Sequence, residues 1–159
     1  MIDLAFRTLY RTAYTAMRVY WAIRRPNTHG ALVAVWHQDR ILLVQNSYTQ
    51  YRSLPGGYVR RGETGREAAR RELKEEVGLE VSLDSLVPTY DRVREWEGKQ
   101  DRVEIFTLEV ESPPSIEVDR REVVAAGFYP VQEARRLRLF PPIHAAIETY
   151  LARSALREV

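Results

Sequence analysis

The sequence predicts an α/β (α+β) fold, a sandwich in which strands are interspersed with a few helices. Short runs rich in β-branched and aromatic residues recur along the chain and are separated by turn residues. Other segments carry apolar residues at helical spacing. Strands interspersed with helices in one chain are typical of such a layered domain, and 159 residues are enough for one substantial core.

The first predicted element is a helix over residues 3–24, which ends before Pro26 and Asn27. Its apolar residues recur at steps of three and four, at Phe6, Leu9, Tyr10, Ala13, Met17, Tyr20 and Trp21. We expect this stripe to pack on the domain or on a second subunit, which would form a homodimer. The alternative is contact with an anionic membrane surface, because arginine recurs along the same segment. Those arginines are incompatible with a signal peptide or a transmembrane segment.

Two β-rich runs follow and predict a hairpin with a tight connection at residues 37–39. The runs are Gly30–Trp36 and Arg40–Asn46. Residues 54–57, Leu-Pro-Gly-Gly, are typical of a turn.

A second helix is predicted over Thr64–Glu76. Thr64 is a suitable N-cap, and Glu67 three residues later completes a capping box. Gly78 is suited to end the helix.

The remaining chain predicts three strands, two loops and two helices. The strands are Leu86–Val93, Val103–Val110 and Val123–Tyr129. The loops are Arg94–Asp101, a polar hairpin connection, and Ser112–Ser115, which contains two prolines. The helices are Val131–Arg136 and Pro142–Leu156.

Composition excludes several classes of site. The chain has no cysteine, so disulfides, thiolate zinc sites and cysteine nucleophiles are excluded, and a reducing, cytoplasmic location fits. The net charge of +2 is too small to indicate a nucleic-acid binder, and we expect no DNA partner.

Three glutamates form the most informative pattern. Glu72, Glu75 and Glu76 stand at positions i, i+3 and i+4, which places them on one helix face within about one turn. Such anions repel each other, and the arrangement is explained if a hard divalent cation such as Mg²⁺ or Mn²⁺ lies among them. Gly56 and Gly57 allow the main chain to approach this face and to add an uncharged carbonyl ligand.

The segment Gly57–Leu79 resembles the Nudix box at every fixed position. The matching residues are Gly57, Glu63, Arg71, Glu72, Leu73, Glu75, Glu76, Gly78 and Leu79. The resemblance implies a mixed sheet between helices in a domain over residues 28–159, after an N-terminal helical segment at 1–27. It also implies that water attacks phosphorus in a diphosphate linkage, with Mg²⁺ as cofactor and Mn²⁺ as a substitute. The substrate would be a nucleoside diphosphate linked to another moiety, or a nucleoside triphosphate.

Carried over by position, the resemblance makes Glu72, Glu75, Glu76 and the Gly56 carbonyl metal ligands. Glu63 and Arg71 would support them by orienting the ligands.

Many members of the family use a further carboxylate from a later strand or loop. Glu122, just before a predicted strand, is the preferred candidate for a ligand or general base. Glu117 and Asp119 are its competitors.

Substrate contacts are less clearly encoded. Arg52, Arg60 and Arg61 flank the glycine turn and are candidates for contacts with phosphate oxygens. Aromatic candidates for holding a base or sugar are Tyr48, Tyr51, Tyr58 and Trp96.

Two other functions fit the same segment. Removal of diphosphate from an RNA 5′ end is one, although the near-neutral charge is unfavourable. A non-catalytic regulatory domain that binds a nucleotide is the other, although such domains commonly lose box carboxylates that this chain retains.

Overall fold

The computed structural model describes residues 2–118 and 120–157. The helices are α1 (Ile2–Arg24), α2 (Gly65–Val77), α3 (Val131–Ala134) and α4 (Pro142–Arg157). The strands are β1 (Asn27–His37), β2 (Arg40–Asn46), β3 (Gly56–Tyr58), β4 (Val87–Trp96), β5 (Lys99–Glu109) and β6 (Val123–Pro130). Within these described ranges the strands form one mixed sheet in the order β4-β5-β1-β2-β6, with β3 paired to β1.

The sheet lies between helices because the central strands are apolar on both faces. Val33 and Val35 of β1 belong to a core shared with α2, whereas Ala34 and Trp36 of the same strand belong to a core shared with α3 and α4. Alternate side chains of a strand point to opposite faces, so a continuous apolar run builds both cores at once. The predicted fold class, a mixed sheet between helices, is confirmed.

Helix α2 begins and ends where its capping residues indicate. Thr64 is the N-cap, and its hydroxyl accepts a hydrogen bond from the Glu67 backbone N–H at 3.2 Å. The Glu67 carboxylate accepts one from the Thr64 backbone N–H at 2.8 Å, which completes the predicted capping box. Gly78 ends the helix in the left-handed conformation with φ 73°. These caps fix where the helix that carries the glutamates begins and ends.

The β1–β2 hairpin is confirmed, and Trp36 pairs with Ile41 and His37 with Arg40. The glycine-rich segment differs from its prediction, because Gly56 and Gly57 belong to β3 and pair with β1. Two glycines in a strand are explained by close backbone approach. A Cβ on Gly56 would lie 2.3 Å from the carbonyl oxygen of Ala31 on β1.

The predicted loop over Arg94–Asp101 is wrong. Strand β4 continues to Trp96 and β5 begins at Lys99, so the connection is only Glu97-Gly98. Both residues have positive φ, 51° and 79°, as in the two-residue turns that match the twist of a hairpin. The sequence does not show these two long strands, because buried and exposed positions do not correspond to apolar and polar residues in this segment.

Helix α1 packs on the domain along one side only. Trp21 is buried, with 4% of its surface exposed, and Gly98 approaches the helix so closely that a Cβ there would lie 3.0 Å from Cα of Ala22. Other members of the predicted stripe remain exposed, among them Leu9 at 62% and Tyr20 at 54%. Packing on the domain therefore accounts for part of the stripe. No helix among the described residues is long and apolar enough to cross a membrane.

Replacing Trp21 with alanine should detach α1. A buried tryptophan contributes roughly 3–5 kcal/mol relative to alanine, which corresponds to at least a 100-fold rise in the population of detached helix. Trypsin cleavage at the arginines of α1 measures this population when closing is faster than cleavage. The neighbouring exposed Tyr20→Ala is the matched control and should be cleaved at the wild-type rate. Equal cleavage of both variants would contradict the docking role of Trp21.

Candidate active site

The glycine strand β3 brings the main chain against the acidic face of α2. A Cβ on Gly57 would lie 2.6 Å from Oε1 of Glu72, so only glycine leaves space for this carboxylate. The backbone N–H of Gly56 donates a hydrogen bond to Oε2 of Glu76 at 2.9 Å. The glycine segment therefore approaches the glutamates as predicted, with Gly56 in contact with Glu76 and Gly57 in contact with Glu72.

Arg71 connects the glutamates of this region through one guanidinium group. Its Nε and Nη2 donate to the two carboxylate oxygens of Glu63 at 2.9 and 3.0 Å. Its Nη1 contacts Glu72 and donates to Glu75 Oε2 at 3.2 Å. Its Nη2 also donates to the carbonyl oxygen of Tyr58 at 3.1 Å, which ties β3 to α2. Arg71 thus offsets part of the repulsion among the carboxylates and fixes their orientation.

The protein environment shifts two of these carboxylates in opposite directions. The hydrogen bonds from Arg71 lower the pKa of Glu63 below its ordinary value. Burial raises the pKa of Glu72, and the negative charges of Glu75 and Glu122 add to that rise against the opposing effect of Arg71. The Glu72 carboxylate therefore lies where its negative charge is disfavoured.

Glu122 approaches the same region from the other side of the site. The strand pairing of Asn46 with Val123 places it beside the end of β2, where its carbonyl oxygen accepts a hydrogen bond from the Ser47 backbone N–H at 2.8 Å. The Tyr48 hydroxyl donates to Glu122 Oε1 at 2.9 Å. Burial raises the pKa of Tyr48, and the charge of Glu122 raises it further, so the hydroxyl stays a donor.

A cavity of about 440 Å³ opens beside these groups. Gly56, Gly57 and Glu122 line the end next to the glutamates. The rest of the wall is strongly aromatic and includes Tyr10, Tyr14, Trp21, Tyr48, Tyr51, Tyr58, Trp96 and Phe140. This volume is within the range of small-molecule sites, roughly 300–1,000 Å³.

Comparison with known proteins identifies the family. A family model described as the NUDIX domain matches residues 26–151. The chain belongs to the Nudix family.

The similar proteins share this domain. A Bacillus subtilis (strain 168) protein provisionally named an 8-oxo-dGTP diphosphatase is 41% identical over 66 residues, which cover 41% of this chain and 44% of that protein. The NAD-capped RNA hydrolase of Citrobacter koseri is 32% identical over 115 residues, which cover 70% of this chain and 41% of that protein. The chain thus matches less than half the length of these relatives.

The solved structures support the fold. The binary complex of a C. elegans Ap4A hydrolase has a TM-score of 0.69 and 20% identity, covering 80% of this chain and 98% of that one. At this identity the likeness concerns the fold alone.

The Nudix box does not present a preformed ligand cluster. Within residues 2–118 and 120–157, no three His, Asp or Glu side chains converge as they would around a metal ion. The contacts above give the reason, because Arg71 holds Glu72 and Glu75 while Glu76 accepts from the backbone of Gly56.

The predicted phosphate contacts separate into two groups. Arg60 lies beside the box helix, with Nη2 at 3.5 Å from Glu75 Oε2, and Arg61 lines the neighbouring surface groove. Arg52 lies elsewhere, with Cζ 5.0 Å from the ring centroid of Tyr129, and it does not line the aromatic cavity. Tyr58 does line the cavity, and its hydroxyl accepts a hydrogen bond from Lys99 Nζ at 2.9 Å.

The competitors of Glu122 are placed differently. Glu117 is exposed beside the end of α2, and a Cβ built on Gly78 would lie 3.4 Å from the Cβ of Glu117. It does not line the cavity. Asp119 lies outside the described residues.

Sequence reasoning missed the contribution of α1 and of the β4–β5 turn to the cavity. Lys99 and Asp101 were predicted in a loop, yet they lie on β5 and are almost completely buried, with Nζ and Oδ2 3.5 Å apart. The aromatic residues Tyr10, Tyr14 and Trp21, at steps of four and seven, were the available signal on α1.

Proposed function

We propose that the chain hydrolyses the diphosphate linkage of a nucleoside diphosphate joined to another group, or of a nucleoside triphosphate, with a divalent cation. The observation that carries this proposal is the position of the glutamates. Glu122 lines a cavity together with Gly57 and Gly56, which contact the Glu72 and Glu76 carboxylates of α2, and the rest of its wall is rich in aromatic side chains. A diphosphate would lie at the acidic end through its cations, and a nucleoside would occupy the aromatic part.

The donor set fits Mg²⁺. The groups that would hold it are the carboxylates of Glu72, Glu75, Glu76 and Glu122 and the carbonyl of Gly56, and hard cations prefer such oxygen ligands. The close approach of the Gly56–Gly57 main chain to the Glu72 and Glu76 carboxylates supports a cation at this position. When bound, the cation would neutralise phosphate charge and lower the pKa of a coordinated water.

The protein's own groups have distinct tasks in this proposal. Arg71 orients Glu72 and Glu75, and Arg60, which is exposed beside Glu75, is available to a phosphate oxygen. Glu122 would ligate the cation or accept the proton of the attacking water. The hydrogen bond from Tyr48 fixes the position of the Glu122 carboxylate.

The similar proteins support the substrate class. By their names, the two relatives act on 8-oxo-dGTP and NAD-capped RNA, both of which are nucleotide compounds. We therefore propose a nucleotide substrate and leave its base and distal group open.

A substrate screen tests the proposal. The protein should release phosphate or a nucleoside monophosphate from at least one member of a library of nucleoside diphosphate derivatives and triphosphates in the presence of Mg²⁺. Excess chelator should abolish the reaction, and Mg²⁺ or Mn²⁺ should restore it. Activity that is unchanged by chelator would overturn the metal-dependent mechanism. Binding without turnover across the library would favour a regulatory nucleotide-binding domain.

A further inference from the structure

Helix α1 supplies a large part of the cavity wall although it lies outside the family domain. The Nudix match begins at residue 26, whereas α1 ends at Arg24. Five residues on α1 nevertheless line the cavity, namely Tyr10, Ala13, Tyr14, Met17 and Trp21. The cavity as this chain forms it therefore depends on a segment that the family domain does not include.

The helix is held next to the cavity at its C-terminal half by the β4–β5 turn. The Tyr14 hydroxyl donates to Glu97 Oε2 at 2.6 Å. Trp21 packs with its ring centroid 4.3 Å from Lys99 Nζ, and Gly98 admits the backbone of Ala22. These contacts involve both residues of the turn, so α1 packs directly against the tip of the hairpin.

The N-terminal half is held by the segments that carry Tyr48 and Glu122. Arg11 Nε donates to the carbonyl oxygen of Ser47 at 2.8 Å, and the Arg7 guanidinium donates to the carbonyl oxygen of Arg120 at 2.9 and 3.0 Å. The Tyr14 and Tyr48 rings lie 4.9 Å apart. Helix α1 thus spans the cavity from the hairpin to the Glu122 segment.

Polar side chains where α1 meets the β4–β5 hairpin already have protein partners. Tyr14 is bonded to Glu97, and Lys99 Nζ is bonded to the Tyr58 hydroxyl and lies 3.5 Å from Asp101. What this part of the wall offers a ligand is therefore mainly ring faces and apolar side chains. Stacking on aromatic rings recognises any planar base, because every base has a π-face.

We propose that α1 binds the nucleobase of the substrate between its aromatic residues and the sheet. This inference rests on the proposed function, because it assigns the aromatic end of the same site. Recognition through ring faces means that purine and pyrimidine nucleotides should bind within roughly tenfold of each other. A diphosphate without a base should lose the contribution of α1 entirely.

The test fills the cavity from α1 without removing any contact. Ala13 lines the cavity and Ala16, one turn away, is exposed and does not, so Ala13→Trp and Ala16→Trp form a matched pair. Calorimetry with Mg²⁺ would measure binding of α,β-methylene-ADP, in which the bridging oxygen is replaced and cleavage is prevented. Methylenediphosphonate, which has the same diphosphate group and no base, is the second probe.

We expect Ala13→Trp to weaken binding of α,β-methylene-ADP by roughly tenfold or more and to leave methylenediphosphonate within about twofold. Ala16→Trp should bind both probes as the wild type does. Unchanged α,β-methylene-ADP binding in Ala13→Trp would overturn the inference, as would equal weakening of both probes or no binding to the wild type. These are binding measurements and do not depend on turnover. A failed hydrolysis screen would therefore overturn the proposed function without deciding whether α1 binds the base.

Discussion

Glu76→Gln should lower turnover by about 100-fold or more, because it removes a charge and weakens a ligand at the centre of the proposed cation site. The substitution is suited to the test because Glu76 is almost completely buried and accepts a hydrogen bond from the Gly56 N–H. The glutamine amide oxygen can accept the same hydrogen bond, so the β3–α2 contact is preserved. Steady-state kinetics on the best substrate of the screen would measure the loss.

Glu75→Gln should give a loss of the same order, although Glu75 is half exposed and bonded to Arg71 instead. Glu80→Gln is the matched control, since Glu80 lies just beyond the helix, is 72% exposed and pairs only with Lys74 among the described contacts. Its turnover should stay within about twofold of the wild type, as expected for a surface ion pair. A melting temperature unchanged in all three variants would show that the fold is intact. Wild-type turnover in Glu76→Gln would refute the role of the box carboxylates.

Local signals account for the parts of the site that the sequence predicts well. The glutamate spacing, the Thr64 capping box and the Gly78 ending all act within one helix, so the residues next to each other in sequence decide the geometry. The Gly-Gly segment is predicted as a turn, but it is a strand. Its glycines are needed because β1 and the Glu72 carboxylate, both remote in sequence, approach its backbone closely. Close approach between remote segments is not visible in a local pattern.

The walls of the cavity come from remote segments and were not predicted for the same reason. Lys99 and Asp101 are charged residues in a polar stretch, which usually indicates exposure. Their burial follows from pairing with each other and from Trp21 of α1, nearly 80 residues earlier in the chain. The apolar stripe of α1 predicted packing correctly for Trp21 but did not indicate which surface it would cover.

Glu122→Gln should lower kcat by roughly 100-fold if Glu122 is a ligand or the general base, with the fold intact. One hydrogen bond and one electrostatic effect are consistent with this role. The Tyr48 hydroxyl donates to Glu122 Oε1 at 2.9 Å, and the negative charge of Glu122 contributes to the raised pKa of Glu72 on α2. Glutamine keeps an acceptor for Tyr48, so a loss of turnover in this variant reports the charge rather than a displaced loop.

Glu117→Gln is the control that separates Glu122 from a nearby exposed glutamate. Glu117 belongs to the same connection between β5 and β6, but it packs beside Gly78 at the end of α2. Its replacement should leave kcat within about twofold, as expected for an exposed carboxylate outside the cavity. Tyr48→Phe adds a second comparison, because it removes the hydrogen bond to Glu122 and keeps the ring that packs against Tyr14. We expect its kcat to fall by less than that of Glu122→Gln, since the carboxylate remains and only its orientation is freed. A large loss in Glu117→Gln with normal turnover in Glu122→Gln would reverse the assignment.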